Sequence, residues 1–134
     1  MSETMLSSGD VVLLEKARDI IRKRYHPERH TVGSALRTRS GRVFAAVHLE
    51  AHVGRVAVCA EAIALGMAAA EGDTDIDTIV AVDEHGAVVS PCGMCREMIS
   101  DYSPQANVVI LIDEGLAVVP IRDLLPYKYQ ATRG

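Results

Sequence analysis

Three cysteines, and where they stand, constrain this chain more than any other feature. All three fall in two short stretches, Cys59-Ala60-Glu61 and Pro91-Cys92-Gly93-Met94-Cys95. Two thiolates at the spacing of Cys92 and Cys95 can share one metal ion if their stretch opens a helix. Cys59 then arrives from another element and fixes the ion between them. Three protein ligands on zinc leave the fourth tetrahedral position open for water, which marks a catalytic rather than a structural site. Glu61 stands two residues past Cys59 and can face that position without filling it. A carboxylate beside activated water is what a proton shuttle requires. Each cysteine is expected at a helix N-terminus, where free amides and the macrodipole favour the thiolate.

The rest of the chain supplies elements to hold these stretches. Asp10 is the expected N-cap of a helix with Val11, Leu14, Ala17, Ile21 and Tyr25 on one stripe. His26-Pro27 ends it. Residues 1–9, small and polar, are expected to fray. Strands are expected over 31–38, 43–49, 77–82, 87–90, 108–112 and 116–119, the first two joined by the turn Arg39-Ser40-Gly41-Arg42. Segment 51–57 is ambiguous, with a break at Gly54. Residues 59–71 form an Ala-rich helix closed by Gly72, apolar nearly all round and therefore expected to be buried. Residues 92–102 form another helix, and 120–125 a short helical turn. Strands alternating with buried helices imply one domain over residues 1–134, a three-layer α/β/α fold around a mixed sheet.

Composition narrows the function. Hydrophobic residues make up 49% of 134, enough for a core, but aromatics are 4%, so that core is aliphatic. The formal charge is −4 with no basic run, which disfavours a polynucleotide partner. No apolar stretch approaches the ~20 residues of a membrane span, and the first ten residues have no signal-peptide pattern. An odd cysteine count argues against a disulfide framework. Reduced, metal-bound thiolates point to the cytoplasm.

A lone Cys-x-x-Cys is weak evidence, shared by redox, structural-zinc and chance occurrences. Cys-Ala-Glu followed by Pro-Cys-x-x-Cys is far more specific, and approaches the zinc-deaminase signature with Cys in place of His as first ligand. With Thr31-Val32-Gly33-Ser34-Ala35-Leu36, Ser40-Gly41-Arg42-Val43-Phe44 and Leu124-Leu125-Pro126-Tyr127, the chain resembles the small cytidine deaminases and their relatives the blasticidin S deaminases. That resemblance implies a five-stranded mixed sheet and a homotetramer with active sites at subunit contacts. It implies a place in pyrimidine nucleoside salvage and hydrolytic replacement of an exocyclic amine by oxygen. It also implies zinc on Cys59, Cys92 and Cys95, Glu61 as proton shuttle, and backbone near Ala60 and Ser90 reading the amide edge of the base.

Departures from the family's pattern bear on substrate. Where the family has Val-Asn-x-Glu, with Asn and Glu on a ribose hydroxyl, this chain has Val47-His48-Leu49-Glu50. Where it commonly has Phe-Pro-Val-Gly, with Phe against the pyrimidine, here stands His30-Thr31-Val32-Gly33. His30, His48 and Glu50 are thus candidate substrate contacts, against the plainer reading of polar strand and loop residues. His52 fits the plainer reading better. Three-cysteine members commonly place an Arg where Ala62 stands; Arg55 or Arg96 could offset the thiolate charge, though a solvated Arg is the simpler account of either. Met94 and Met98 read as helix packing. Cytidine, deoxycytidine or a close analogue is the leading substrate, and a nucleoside-like antibiotic or another aminated heterocycle the alternative. A non-catalytic zinc domain would need a fourth ligand, such as His52 or His48, and has no use for Glu61.

Overall fold

The structure, a computed structural model, describes residues 6–131. The first helix, α1 (Ser8–Arg24), is capped by Ser7 and not by Asp10. Ser7 has extended backbone angles, and its Oγ accepts the Asp10 amide at 3.1 Å. Asp10 lies inside the first turn, where its carboxylate takes the Arg37 guanidinium at 2.8 Å. Leu6 is buried and Ser8 and Gly9 are helical, so the expected fraying does not hold for residues 6–9. Residues 1–5 of that segment lie outside the described residues. Leu13, Leu14, Ala17 and Ile21 form the buried stripe; Tyr25, expected on it, is exposed at the C-cap.

Strands β1 (Gly33–Thr38) and β2 (Val43–Val47) form a hairpin with Gly33 opposite Val47. A 3₁₀ turn over Gly54–Val56 occupies the ambiguous segment. Then come α2 (Ala60–Ala70), β3 (Ile76–Val82), the two-residue β4 (Val88–Val89), α3 (Gly93–Tyr102), β5 (Asn107–Ile112) and β6 (Gly115–Pro120). A last 3₁₀ turn spans Ile121–Leu124. The sheet runs β2-β1-β3-β5-β6, with β4 a sixth strand paired to β3. Only the β3–β5 pair is parallel among the described strands, so the sheet is mixed. β4 pairs with the end of β3 at Ala81 and Val82, while β5 pairs lower down at Thr78 and Ile79. The chain therefore leaves the end of β3 and enters α3 directly beside it.

Alternation sorts the strand residues between two cores. Ala35, Val80 and Val109 pack with α1 on one face. Leu36, Ile79 and Val108 pack with α2 and α3 on the other. Each fully buried Leu, Ile or Val contributes about 1.5–3 kcal/mol of transfer free energy. Gly33 is where β1 passes nearest α1. A Cβ there would stand 2.8 Å from the Ala17 carbonyl oxygen and 3.0 Å from the Ile21 Cβ. The α2 helix is less enclosed than its composition implies. Ala64, Leu65 and Ala68 are buried, but Gly66, Met67, Ala69 and Ala70 face outward. Among the described residues, no helix is long and apolar enough to cross a membrane.

Candidate active site

Both cysteine stretches fold as the starts of helices. Cys59 is the N-cap residue of α2, and Cys92 that of α3. Cys59 Sγ makes no cap bond to its own first turn, whereas Cys92 feels the Cys95 and Met94 amides of its own. Cys95 follows one turn into α3 and is 2% exposed. The three sulfurs lie within 4.8 Å of one another, with Cys59 Sγ and Cys92 Sγ 3.6 Å apart. Two helix N-termini thus converge on one cluster.

The donor chemistry fits a soft divalent cation. Burial raises the Cys59 thiol, and contact with Cys92 raises it further. Burial, then the charges of Glu61 and Cys59, hold Cys95 far above the ordinary thiol range. Burial also acts upward on Cys92. It is outweighed by the Cys95 amide, the neighbouring sulfurs and the Met94 amide, so Cys92 ends below the usual value. One thiolate is favoured and two are resisted. A cation bound to all three would replace the protons the other two keep, and thiolates select zinc.

Glu61 is in the first turn of α2, 6% exposed. Burial raises its carboxyl above the usual range, partly opposed by its own backbone amide. It lines a cavity of about 210 Å³ together with Val32, His48, Ala57, Val58, Cys59, Ala60, Val89, Ser90 and Cys92. Cys95 lies behind, in the core. Of the residues singled out from sequence, Glu61, His48, Ala60, Ser90, Cys59 and Cys92 therefore meet at one cavity.

His30 and Glu50 do not line it. His30 faces a second, more open cavity between α1, β2 and α2, and its Nδ1–H donates to the His48 carbonyl at 2.8 Å. Val32 occupies the wall in its place. Glu50 stands just outside, with Oε2 4.0 Å from His48 Nε2 and Oε1 accepting the Ala51 amide. His52 is exposed beside Glu50, away from the metal cluster. Arg55 is exposed in the Gly54–Val56 turn. Arg96 is not a solvated side chain. Its guanidinium donates to the carbonyls of Pro91, at 2.8 Å, and Leu124, at 3.1 Å, tying α3 to the last 3₁₀ turn. Met98 packs against the core as expected, whereas Met94 is 72% exposed. Sequence reasoning missed Val32, Ala57, Val58 and Val89 as wall residues. Their signal was adjacency: Val58 precedes Cys59, and Val89 precedes Ser90.

An α/β/α domain that presents three thiols and a buried carboxylate at converging helix starts defines a zinc-dependent aminohydrolase. Residues 7–112 match the cytidine and deoxycytidylate deaminase zinc-binding region. The chain is 48% identical over 132 residues to a blasticidin-S deaminase of Bacillus cereus, covering 92% of this chain and 94% of that one. It is 30% identical over 105 residues to a cytidine deaminase of Halalkalibacterium halodurans, covering 77% and 80%. The structure of a cytidine deaminase from Mycobacterium tuberculosis superposes with TM-score 0.79 at 25% identity, covering 93% of this chain and all of that one (100%). One from Burkholderia pseudomallei gives 0.74 at 30% identity, covering 96% and 100%. The chain belongs to the cytidine deaminase family.

Proposed function

We propose that this chain hydrolyses the exocyclic amine of a cytosine-bearing, nucleoside-like compound to a carbonyl with release of ammonia, and that blasticidin S is a better substrate than cytidine. The observation that carries the chemistry is Glu61, a buried carboxyl on the same cavity wall as Cys59 and Cys92. Cys59, Cys92 and Cys95 hold zinc, and the chemistry zinc supplies there is activation of water as a nucleophile. Attack on the ring carbon needs the adjacent ring nitrogen protonated, because the aromatic ring otherwise resists addition. Glu61 takes the proton released by water and passes it to that nitrogen. It then takes the second proton from the newly added oxygen, as the carbonyl forms, and delivers it to the departing amine, so one water is consumed for each ammonia lost. Burial favours the protonated carboxyl, which suits the delivery steps. Backbone near Ala60 and Ser90 reads the amide edge of the base.

The preference for the antibiotic rests on two points. The Bacillus cereus relative that is 48% identical is a blasticidin-S deaminase. The cavity wall also carries His48 where the cytidine-type pattern has Asn, and His30, at the position of that pattern's Phe, does not line it. Glu50, adjoining His48, keeps cytidine and deoxycytidine as slower substrates in a nucleoside-salvage setting.

The working form is a single domain over residues 1–134 that assembles as a cytoplasmic homotetramer, in keeping with the outward apolar residues Met67, Ala69 and Ala70 on α2. The test of function is ammonia release by the zinc-loaded chain from blasticidin S, cytidine and deoxycytidine side by side. Turnover is expected on all three, with kcat/KM highest on the antibiotic. Equal or higher kcat/KM on cytidine would remove the substrate preference, and no ammonia from any of them would remove the reaction.

A further inference from the structure

The three thiols are not held alike. Cys95 is buried inside α3. Cys59 is half-buried, and Val58 before it is paired to Leu49, each amide donating to the other's carbonyl at 2.9 Å. Cys92 is exposed, and Gly93 after it has no side chain to pack. Arg96 grips this weakest-held ligand twice. Its amide donates to the Cys92 carbonyl at 2.9 Å, the first bond of α3. Its guanidinium Nε–H donates to the Pro91 carbonyl at 2.8 Å. The Pro91 ring locks φ but leaves the direction of that carbonyl open. A peptide is planar, so fixing the carbonyl fixes the plane that carries Cys92.

The other end of the guanidinium reaches a fixed point. It donates to the Leu124 carbonyl at 3.1 Å. Leu124 packs on the core, and Ile121, which opens its turn, is fully buried with its amide on the Ala106 carbonyl at 2.9 Å. We propose that Arg96 is a positioning residue for the metal centre: it ties the Pro91–Cys92 peptide to the core through Leu124, and so keeps the Cys92 sulfur in register with Cys59 and Cys95. Ser90, on the same link between β4 and α3, lines the cavity and is steadied by the same brace. A guanidinium holds its donors in one rigid plane and can span two carbonyls at a set angle, which a lysine ammonium cannot. This rests on the reading that the three thiols hold zinc. Lys128 provides a contrast. It ties the C-terminal segment to the same helix, donating to Ser100 Oγ at 2.9 Å and to Asp101, but further along from the cysteines.

Zinc affinity, read by competition with a chromogenic chelator, tests the proposal without substrate. Arg96→Met keeps most of the apolar stem and removes both donors. It should weaken zinc by about 10–100-fold, the range for a partner that orients a ligand. Arg96→Lys should fall between it and the wild type. Lys128→Met should lower Tm and keep the wild-type affinity. Cobalt(II) in place of zinc gives a second readout, since its visible d–d bands report geometry at the ion. The bands should shift in both Arg96 variants and stay in place in Lys128→Met. Wild-type affinity with unshifted bands in the Arg96 variants would overturn the proposal. So would an equal loss in Lys128→Met, which would make the effect one of general stability. If Arg96→Met does not fold, Arg96→Lys decides by the same two readouts. A wild-type chain that takes up neither zinc nor cobalt would remove the metal reading itself, and this proposal with it.

Discussion

The two ends of the cavity are built differently. At the metal end, Cys59, Cys92 and Cys95 sit on the first turns of α2 and α3, and those turns are rooted in the core through Ala60, Ala64, Cys95 and Ile99. At the other end, Val32 and His48 lie where β1 begins and β2 has ended, at the margin of the sheet. Hydrogen bonds between side chain and backbone hold them. Packing holds the thiol cluster and Glu61, and a small polar lattice holds the opposite wall. Close-packed cores respond steeply to change. A hydrogen-bonded margin can be retuned in steps of about 0.5–1.5 kcal/mol per bond.

The largest expected effect breaks the metal end outright. Cys92→Ser should lose zinc, turnover and a large part of the thermal stability together, since metal binding is coupled to folding. Elemental analysis and calorimetry on one preparation check this. Full zinc occupancy with unchanged melting would mean the cluster is not the site.

Next comes Glu61→Gln, which keeps the shape of the side chain and removes its proton chemistry. Zinc content and Tm should hold while kcat falls by at least about 10²–10⁴-fold, the range for a general acid–base group. If zinc is lost with turnover, Glu61 is a ligand and the division of labour at that end is wrong.

Gly33→Ala probes the margin through its backing. The added methyl would press on the Ala17 carbonyl, a backbone atom held within α1. A loss of about 1–3 kcal/mol is expected, read as a lower denaturation midpoint. KM should rise with zinc undisturbed. A parallel loss of metal would show that the two ends are not separable.

Acid should give the smallest effect. The folded-state pKa of His48 lies below its ordinary 6.5, so the unfolded chain takes up the proton first as pH falls. The stability contribution is complete above 6.5 and declines below it toward the lower native value. A slight drop in Tm over that window is expected for the wild type and should be absent in His48→Asn. An unchanged wild-type Tm would place His48 in a more solvated setting.

The metal end was legible because it is written in residue identity. Cysteine, a proline before Cys92 and a glutamate two places after Cys59 have few other uses in that order. The three layers were legible too, since strand alternation and the apolar helix stripe follow from periodicity. What escaped was direction. His30 sits two residues before Val32 at a strand entrance, yet tertiary hydrogen bonds turn His30 outward and leave Val32 on the wall. The cap of α1 was misplaced because Ser7 and Asp10 are both good cap residues, and Asp10 was claimed by Arg37 from a distant strand. The open face of α2 was hidden by its composition, because alanine and methionine read the same whether or not something covers them.

The far end of α2 carries its own tether. Asp73, just past Gly72, accepts from Ser40 Oγ at 2.7 Å and Thr38 Oγ1 at 2.9 Å. Arg42 reaches Glu71 at 2.6 Å and lies over the Phe44 ring. The β1–β2 turn therefore grips the helix at the end opposite Cys59. A helix of eleven residues is a rod of about 16 Å, so a tilt of about two degrees at the grip swings its tip by about half an ångström. That is the scale on which a coordination sphere is strained or relaxed. Laboratory evolution of this protein would then find useful substitutions at Thr38, Ser40, Arg42 and Asp73, where the rod can be re-aimed without altering any group that meets metal or substrate.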